Sequence, residues 1–161
     1  MTPPTAPRLK TPVSGRDHML GLETAPVEVV EYGDFECPHC GRAALVVNQL
    51  RAELGDRFRY VFRHFPLSKM HPHARKAAES AEAASAAGKF WEMHDLLFAN
   101  AAALTIPDLI RYAGELGVDI ATDLAADTYS PRVQEDLSSG VRSGVNGTPT
   151  FFINSVRHNA G

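Results

Sequence analysis

The only two cysteines of this 161-residue chain fall in one tetrapeptide, Cys37-Pro38-His39-Cys40. A pair that close cannot staple distant segments, so a disulfide-framed scaffold is excluded and the fold must rest on an apolar core. The chain can supply one: 44% of its residues are hydrophobic and 22% charged, ordinary globular usage that excludes disordered and fibrous classes. The length suits one domain. A formal charge of −3 gives no electrostatic footprint for nucleic acid or an anionic membrane surface. No apolar run approaches the roughly 20 residues that span a bilayer. Residues 1–10 lack the apolar stretch of a signal peptide. The expected location is therefore cytoplasmic, or periplasmic or otherwise extracytoplasmic if a leader has been removed.

Residues 1–25 carry Pro3, Pro4, Pro7 and Pro12 with little periodicity and read as a mobile or surface-hugging arm. Val27-Glu28-Val29-Val30-Glu31-Tyr32 is a β-branched run with strand character, broken by Gly33-Asp34-Phe35-Glu36. From Pro38 the spacing turns helical, with Ala43, Ala44, Val46, Val47, Leu50 and Leu54 recurring until Gly55. Residues 57–65 alternate polar and apolar as a second strand that Pro66 ends. Residues 26–66 are thus a β-α-β unit whose helix is long enough for a parallel crossover. Residues 67–145 read as an all-helical insert. Gly88 divides 74–99 into two helices, Thr105 and Asp108 frame a capped helix running to about Gly117, and shorter helices fit 121–128 and 131–140. Phe90, Trp91, Met93, Leu96, Leu97 and Phe98 are enough for a small core of its own, and more natural there than as a cofactor box. Residues 146–161 return to strand character at Thr150-Phe151-Phe152-Ile153, then turn toward a further strand.

A cysteine pair at a strand-to-helix junction suits reversible disulfide chemistry. Cys37 at the N-cap, with Pro38 at the first helical position, faces orphan backbone N–H groups and the positive end of the helix dipole, which stabilise a thiolate. Cys40, one turn on, can close or resolve a disulfide. His39 can hydrogen-bond to the thiolate and, when protonated, add positive charge. Metal binding competes: the cysteines could furnish half a tetrahedral zinc site, with His64, His71 or His73 supplying the rest. Zinc knuckles sit in tight hairpins rather than at a helix start, which favours redox. Otherwise His64, His71, His73 and His94 read as surface or helix-cap residues. Glu31 has two readings, a buried acid beneath the cysteines that handles the proton of Cys40, or a strand-edge residue that reaches solvent. If Val30 and Tyr32 face one side of the strand, Glu31 faces the other with Val29. Pro149, in the turn before Thr150, is a place where a cis peptide bond can persist.

Residues 31–40 (Glu-Tyr-Gly-Asp-Phe-Glu-Cys-Pro-His-Cys), 60–66 (Tyr-Val-Phe-Arg-His-Phe-Pro) and 147–154 (Gly-Thr-Pro-Thr-Phe-Phe-Ile-Asn) together resemble the DsbA-like branch of the thioredoxin superfamily. The Pro-His between the cysteines matches a strongly oxidising bacterial member. The sequence is also similar to thioredoxin-like domains appended to some bacterial sodium/proton antiporters. The resemblance implies an α/β thioredoxin fold with an all-helical domain inserted after the second core strand. It implies thiol–disulfide exchange with protein substrates, Cys37 as the solvent-facing nucleophile, Cys40 as its buried partner and Glu31 as the buried acid. Thr148-Pro149 becomes the cis-proline loop that faces the disulfide and binds substrate backbone. No metal or organic cofactor is implied. The partners are protein thiols or disulfides and a redox partner protein or glutathione. Other readings are a non-catalytic or zinc-binding domain that keeps the fold, and a cytosolic glutathione-linked reductase. The family continues beyond the strand at 150–153 into a hairpin and a final helix. With the return strand barely begun at Gly161, one apolar sheet face is expected to lack cover, and the chain alone is not expected to be a self-sufficient monomer.

Overall fold

The computed structural model describes residues 7–158. The β-branched run forms strand β2 (Val27–Gly33), reached through a short strand β1 (His18–Leu20). Helix α1 (Pro38–Leu54) carries the chain over to β3 (Phe58–His64), which pairs parallel to β2 with Val29 opposite Tyr60 and Gly33 opposite His64. β4 (Thr150–Ile153) runs antiparallel to β2, and β5 (Val156–His158) runs antiparallel to β4. The sheet order is β1-β3-β2-β4-β5.

The arm expected over residues 1–25 is in part a sheet element. Residues 1–6 lie outside the described ones, but β1 pairs antiparallel with β3 from His18↔Phe62 to Leu20↔Tyr60. Upstream of it, Leu9 is buried and its N–H donates to Ser155 O at 2.9 Å. The strand escaped a local reading because three residues, His-Met-Leu, carry no alternation. Its stability comes from the long-range edge of β3 rather than from its own sequence.

Five helices fill the connection between β3 and β4: α2 (Ala74–Ser85), α3 (Phe90–Ala99), α4 (Ile106–Glu115), α5 (Ala121–Ala125) and α6 (Ser130–Arg142). Thr105 caps α4 as expected, with Thr105 Oγ1 accepting from the Asp108 N–H and the Asp108 carboxylate accepting from the Thr105 N–H. The insert does not keep a separate core. Phe90, Met93, Leu97, Leu104, Leu109 and Tyr112 join Val29, Phe58, Tyr60 and Phe62 of the sheet in one continuous cluster. The side chains that looked sufficient for a private core instead cover one face of β2 and β3, where burial against existing apolar surface removes more area from water than a separate small core could.

The opposite sheet face buries Val30, Tyr32, Val61 and Phe152, with Phe65 and Val145, beneath α6. That helix comes close because residue 140 is glycine: a Cβ there would stand 2.7 Å from the Phe65 ring and 2.9 Å from the Tyr32 ring. Between α1 and β4 the first face stays open as an apolar cleft, with Val46 54% and Leu50 37% exposed and Phe151 and Ile153 half-buried.

Candidate functional site

β2 ends at Gly33, and the turn to α1 is organised by Asp34, which is 2% exposed. Its Oδ1 accepts from the Glu36 N–H at 2.8 Å, its Oδ2 from the Leu67 N–H at 2.9 Å and from His71 Nδ1 at 2.8 Å, and its backbone carbonyl accepts from the Cys37 N–H at 3.1 Å. One carboxylate thus ties the helix start to the segment that follows β3. Sequence reasoning treated Asp34 only as a strand breaker; an Asp two residues before a backbone N–H it can accept from was the available signal.

Cys37 is the N-cap of α1, with extended backbone (φ −77°, ψ 121°) and Pro38 at the first helical position. Both cysteines are free thiols in this structure; Cys40 is fully buried, and Cys37 keeps 4% of its surface exposed. The Cys37 sulfur is brought down to about 5, first by the Cys40 thiol, which donates to the thiolate, and then by Thr148 and the backbone N–H groups of Cys40 and His39, against the opposing effect of burial. The same hydrogen bond, together with burial and the nearby Glu31 carboxyl, pushes the Cys40 thiol far up. One proton is shared unequally: Cys37 gives it up and Cys40 keeps it. When Cys37 is protonated, its Sγ lies 3.6 Å from the Thr148 carbonyl and donates to it.

Helix position lowers the Cys37 pKa as expected, but the His39 ring plays a different part. His39 is exposed and its Nδ1 accepts from Arg42, so its help to the thiolate comes from its backbone N–H. Pro38 is exposed at the helix start. The Thr148–Pro149 bond is cis, both residues are half-buried, and they line the cleft with His39 and Arg42. Thr148 Oγ1 is buried and otherwise without a partner, positioned to steady the thiolate.

Glu31 is buried (1% exposed) on the Val29 face of β2, which removes the solvent-reaching reading. Its Oε1 accepts from the Tyr60 hydroxyl at 2.6 Å, while Oε2 has no partner. Burial, with a smaller push from Cys37, raises its carboxyl to about 7 despite the Tyr60 hydrogen bond. Tyr60 was missed from sequence, although parallel pairing of the two predicted strands sets it on the Val29–Glu31 face.

Two histidines read as surface or capping residues are buried. His64, fully buried, meets Glu82 at 2.8 Å through Nε2, and His94, 5% exposed, packs among Phe35, Phe62, Trp91 and Phe98. Neither fate is visible locally: Glu82 comes from α2, and besides Trp91 and Phe98 of its own helix His94 meets Phe35 from the turn before α1 and Phe62 from β3. His73 does sit at the N-cap of α2. The histidines weighed as partners for a cysteine-bound zinc point elsewhere, His64 to Glu82 and His71 to Asp34.

A family model described as thioredoxin matches residues 13–160. The chain belongs to the thioredoxin family. It is 49% identical over 146 residues to a sodium/proton antiporter, NhaA 1, from Salinispora arenicola, covering 89% of this chain and 22% of that protein. The chain therefore spans less than a quarter of that relative. Among solved structures, BdbD of Bacillus subtilis in its oxidised form superposes with a TM-score of 0.79 at 22% identity, covering 96% of this chain and 88% of that one. A thioredoxin-like oxidoreductase from Silicibacter pomeroyi gives 0.77 at 27% identity, covering 92% and 86%. Alpha-DsbA1 of Wolbachia pipientis gives 0.77 at 22%, covering 94% and 86%. The chain thus has a thioredoxin-like fold, with its own five helices between β3 and β4, and its solved neighbours are DsbA-like. No helix among the described residues is long and apolar enough to cross a membrane.

Proposed function

We propose that this thioredoxin-family chain is a thiol–disulfide oxidoreductase that exchanges disulfides with protein thiols through Cys37 and Cys40. The observation that carries the reading is the asymmetric sulfur pair at the start of α1, an acidic Cys37 beside a buried, strongly basic Cys40. In the oxidised form a substrate thiolate attacks Cys37 Sγ, forming a mixed disulfide and expelling Cys40 as a thiolate. Glu31, whose carboxyl still holds a proton near neutral pH, is positioned to protonate that buried sulfur. The second substrate thiolate then attacks the substrate sulfur and releases Cys37 as a stabilised thiolate, leaving substrate oxidised and the pair reduced. Because the low Cys37 pKa stabilises the dithiol form, oxidation of substrate is the favoured direction. The thioredoxin-like oxidoreductase from Silicibacter pomeroyi, at 27% identity, supports the same chemistry.

The test is to mix the oxidised protein with a dithiol peptide and follow peptide disulfide by mass. Wild type should oxidise one peptide per chain, Cys37→Ser none, and Cys40→Ser, pre-loaded as a mixed disulfide on Cys37, should stay trapped in the absence of a second substrate thiol. Equal alkylation of both thiols by a bulky reagent, or turnover by Cys37→Ser, would count against the assignment.

A further inference from the structure

Away from the cysteines, three side chains from three elements converge on one point. His18 opens β1, His64 ends β3 and Glu82 lies in α2. His18 Nε2 stands 2.6 Å and His64 Nε2 2.8 Å from the same oxygen, Glu82 Oε2. These ligating atoms all lie within 4.8 Å of one another, in the one such cluster among the described residues, and neither cysteine sulfur belongs to it. We propose that His18, His64 and Glu82 form a binding site for a divalent transition metal of the zinc class.

The donor set is the first reason. Two imidazoles beside one carboxylate suit zinc or cobalt rather than calcium or magnesium, which take all-oxygen sets, and three protein ligands leave a fourth tetrahedral position for water. The open position falls on the His18 side, where the side chain is 13% exposed against 0% for His64 and 6% for Glu82. The support around the ligands is the second reason. Arg132 Nε lies 3.7 Å from Glu82 Oε1, which leaves Oε2 for the histidines. The Arg132 charge is met in turn by Asp136, so the carboxylate's negative charge is not cancelled outright. The His18 ring stacks on Phe90 with centroids 3.6 Å apart, and the His64 ring is held by Phe62 at 5.6 Å. Ring packing of this kind limits how far each imidazole can turn, while His64 Nδ1 is buried without a hydrogen-bond partner.

Geometry demands one adjustment. Bonds of about 2.0–2.1 Å in a tetrahedron set neighbouring donors about 3.3 Å apart, wider than the present hydrogen-bond spacing. His18 can yield, because it stands at the end of a three-residue edge strand. In the metal-free state both imidazoles donate Nε2–H to the carboxylate; binding replaces those protons with the cation. The metal would then clasp β1 to β3 and to the insert.

The experiment uses the Cys37→Ala/Cys40→Ala chain, so that thiols cannot supply ligands and the outcome does not depend on the redox reading. Chelator-stripped protein is titrated with cobalt(II) by visible absorption and with zinc by calorimetry. One equivalent should bind, with d–d bands but no sulfur-to-metal charge-transfer band. His18→Gln and Glu82→Gln should each weaken binding at least tenfold while still melting cooperatively. Zinc should raise the melting temperature only where the cluster is intact. His18, at the sheet edge, keeps the test valid should the buried Glu82 variant fail to fold. Binding that disappears with the cysteines, binding that survives the His18 substitution unchanged, or no binding at micromolar metal overturns the proposal.

Discussion

The chemistry of the site comes from where one proton resides. Cys37 is exposed by only 4%, so burial alone would favour its neutral thiol, yet the Cys40 thiol, Thr148 and two backbone N–H groups outweigh that cost. Thiolate absorbance of the reduced protein should titrate with a midpoint near 5. Cys40→Ala removes the largest contribution and should raise the midpoint by a unit or more. His39→Ala should move it far less, since the ring faces Arg42 and the backbone N–H remains. The linkage has a definite sign. The folded pKa lies below the ordinary value of 9.0, so this group's contribution to the reduced form is present above 9 and lost as pH falls through about 5. Unfolding of reduced against oxidised protein at pH 4.5 and 8 should show that difference. Glu31 runs the other way. With its folded pKa raised from 4.5 to about 7, the ionised carboxylate penalises the folded dithiol form progressively between those values and fully above them. Glu31→Gln retains an acceptor for Tyr60 and should stabilise the reduced protein at pH 8 by about 3 kcal/mol, with little gain at pH 4. It should also slow release of Cys40 from the oxidised pair. A variant that is less stable at pH 8 would contradict the buried-acid assignment.

Among the elements, the segment that leads into β1 is tied to β3 by a buried ion pair. Arg63 of β3 is 2% exposed and grips Asp17 with two hydrogen bonds, Nε to Oδ1 at 2.8 Å and Nη2 to Oδ2 at 3.0 Å. Its Nη1 donates to the Tyr32 hydroxyl at 2.8 Å and to the Thr11 carbonyl at 2.9 Å. Asp17→Asn leaves a buried guanidinium uncompensated and should cost about 3–5 kcal/mol, read as a lower denaturant midpoint with early proteolysis before Leu20. Replacing both partners by apolar residues should cost much less. The arm illustrates what local sequence can carry. β2, α1, β3 and β4 were legible because their periodicity, the Pro38 start and the Gly55 stop are contained in each segment. Cys37, Cys40 and the Thr148–Pro149 turn were legible from local motifs and their order. β1, Tyr60 and the burial of His64 and His94 were not, since each is decided by a partner brought up by tertiary packing: Phe62 for His18, Glu31 for Tyr60, Glu82 for His64, Phe35 and Phe62 for His94.

At the scale of the molecule the two sheet faces are treated unequally. α6 seals one face, while the other is covered by α1 and the remaining insert helices, which leave part of it open. What remains is a cleft of about 730 Å³ whose walls include Val46 and Leu50 of α1 and Phe151 and Ile153 of β4, with Thr148 and Pro149 at its rim. The Cys37 sulfur lies 3.6 Å from the Thr148 carbonyl, so that rim and the nucleophile are adjacent. In the proposed reaction an extended substrate segment can lie along the Thr148 backbone and drop apolar side chains into the cleft, as peptides do when they pair with exposed strand-like backbone. Burying one such side chain stabilises by about 1.5–3 kcal/mol, roughly a tenfold to hundredfold gain in affinity. Dithiol peptides with Leu or Phe beside the reactive cysteine should therefore be oxidised with lower KM than Ser-substituted versions. Val46, 54% exposed, can take a charge without disturbing the core. Val46→Glu should raise KM for the apolar peptide about tenfold, erase the Leu-over-Ser preference, and leave the Cys37 titration where it was. An unchanged preference would mean that substrate approaches Cys37 from another side.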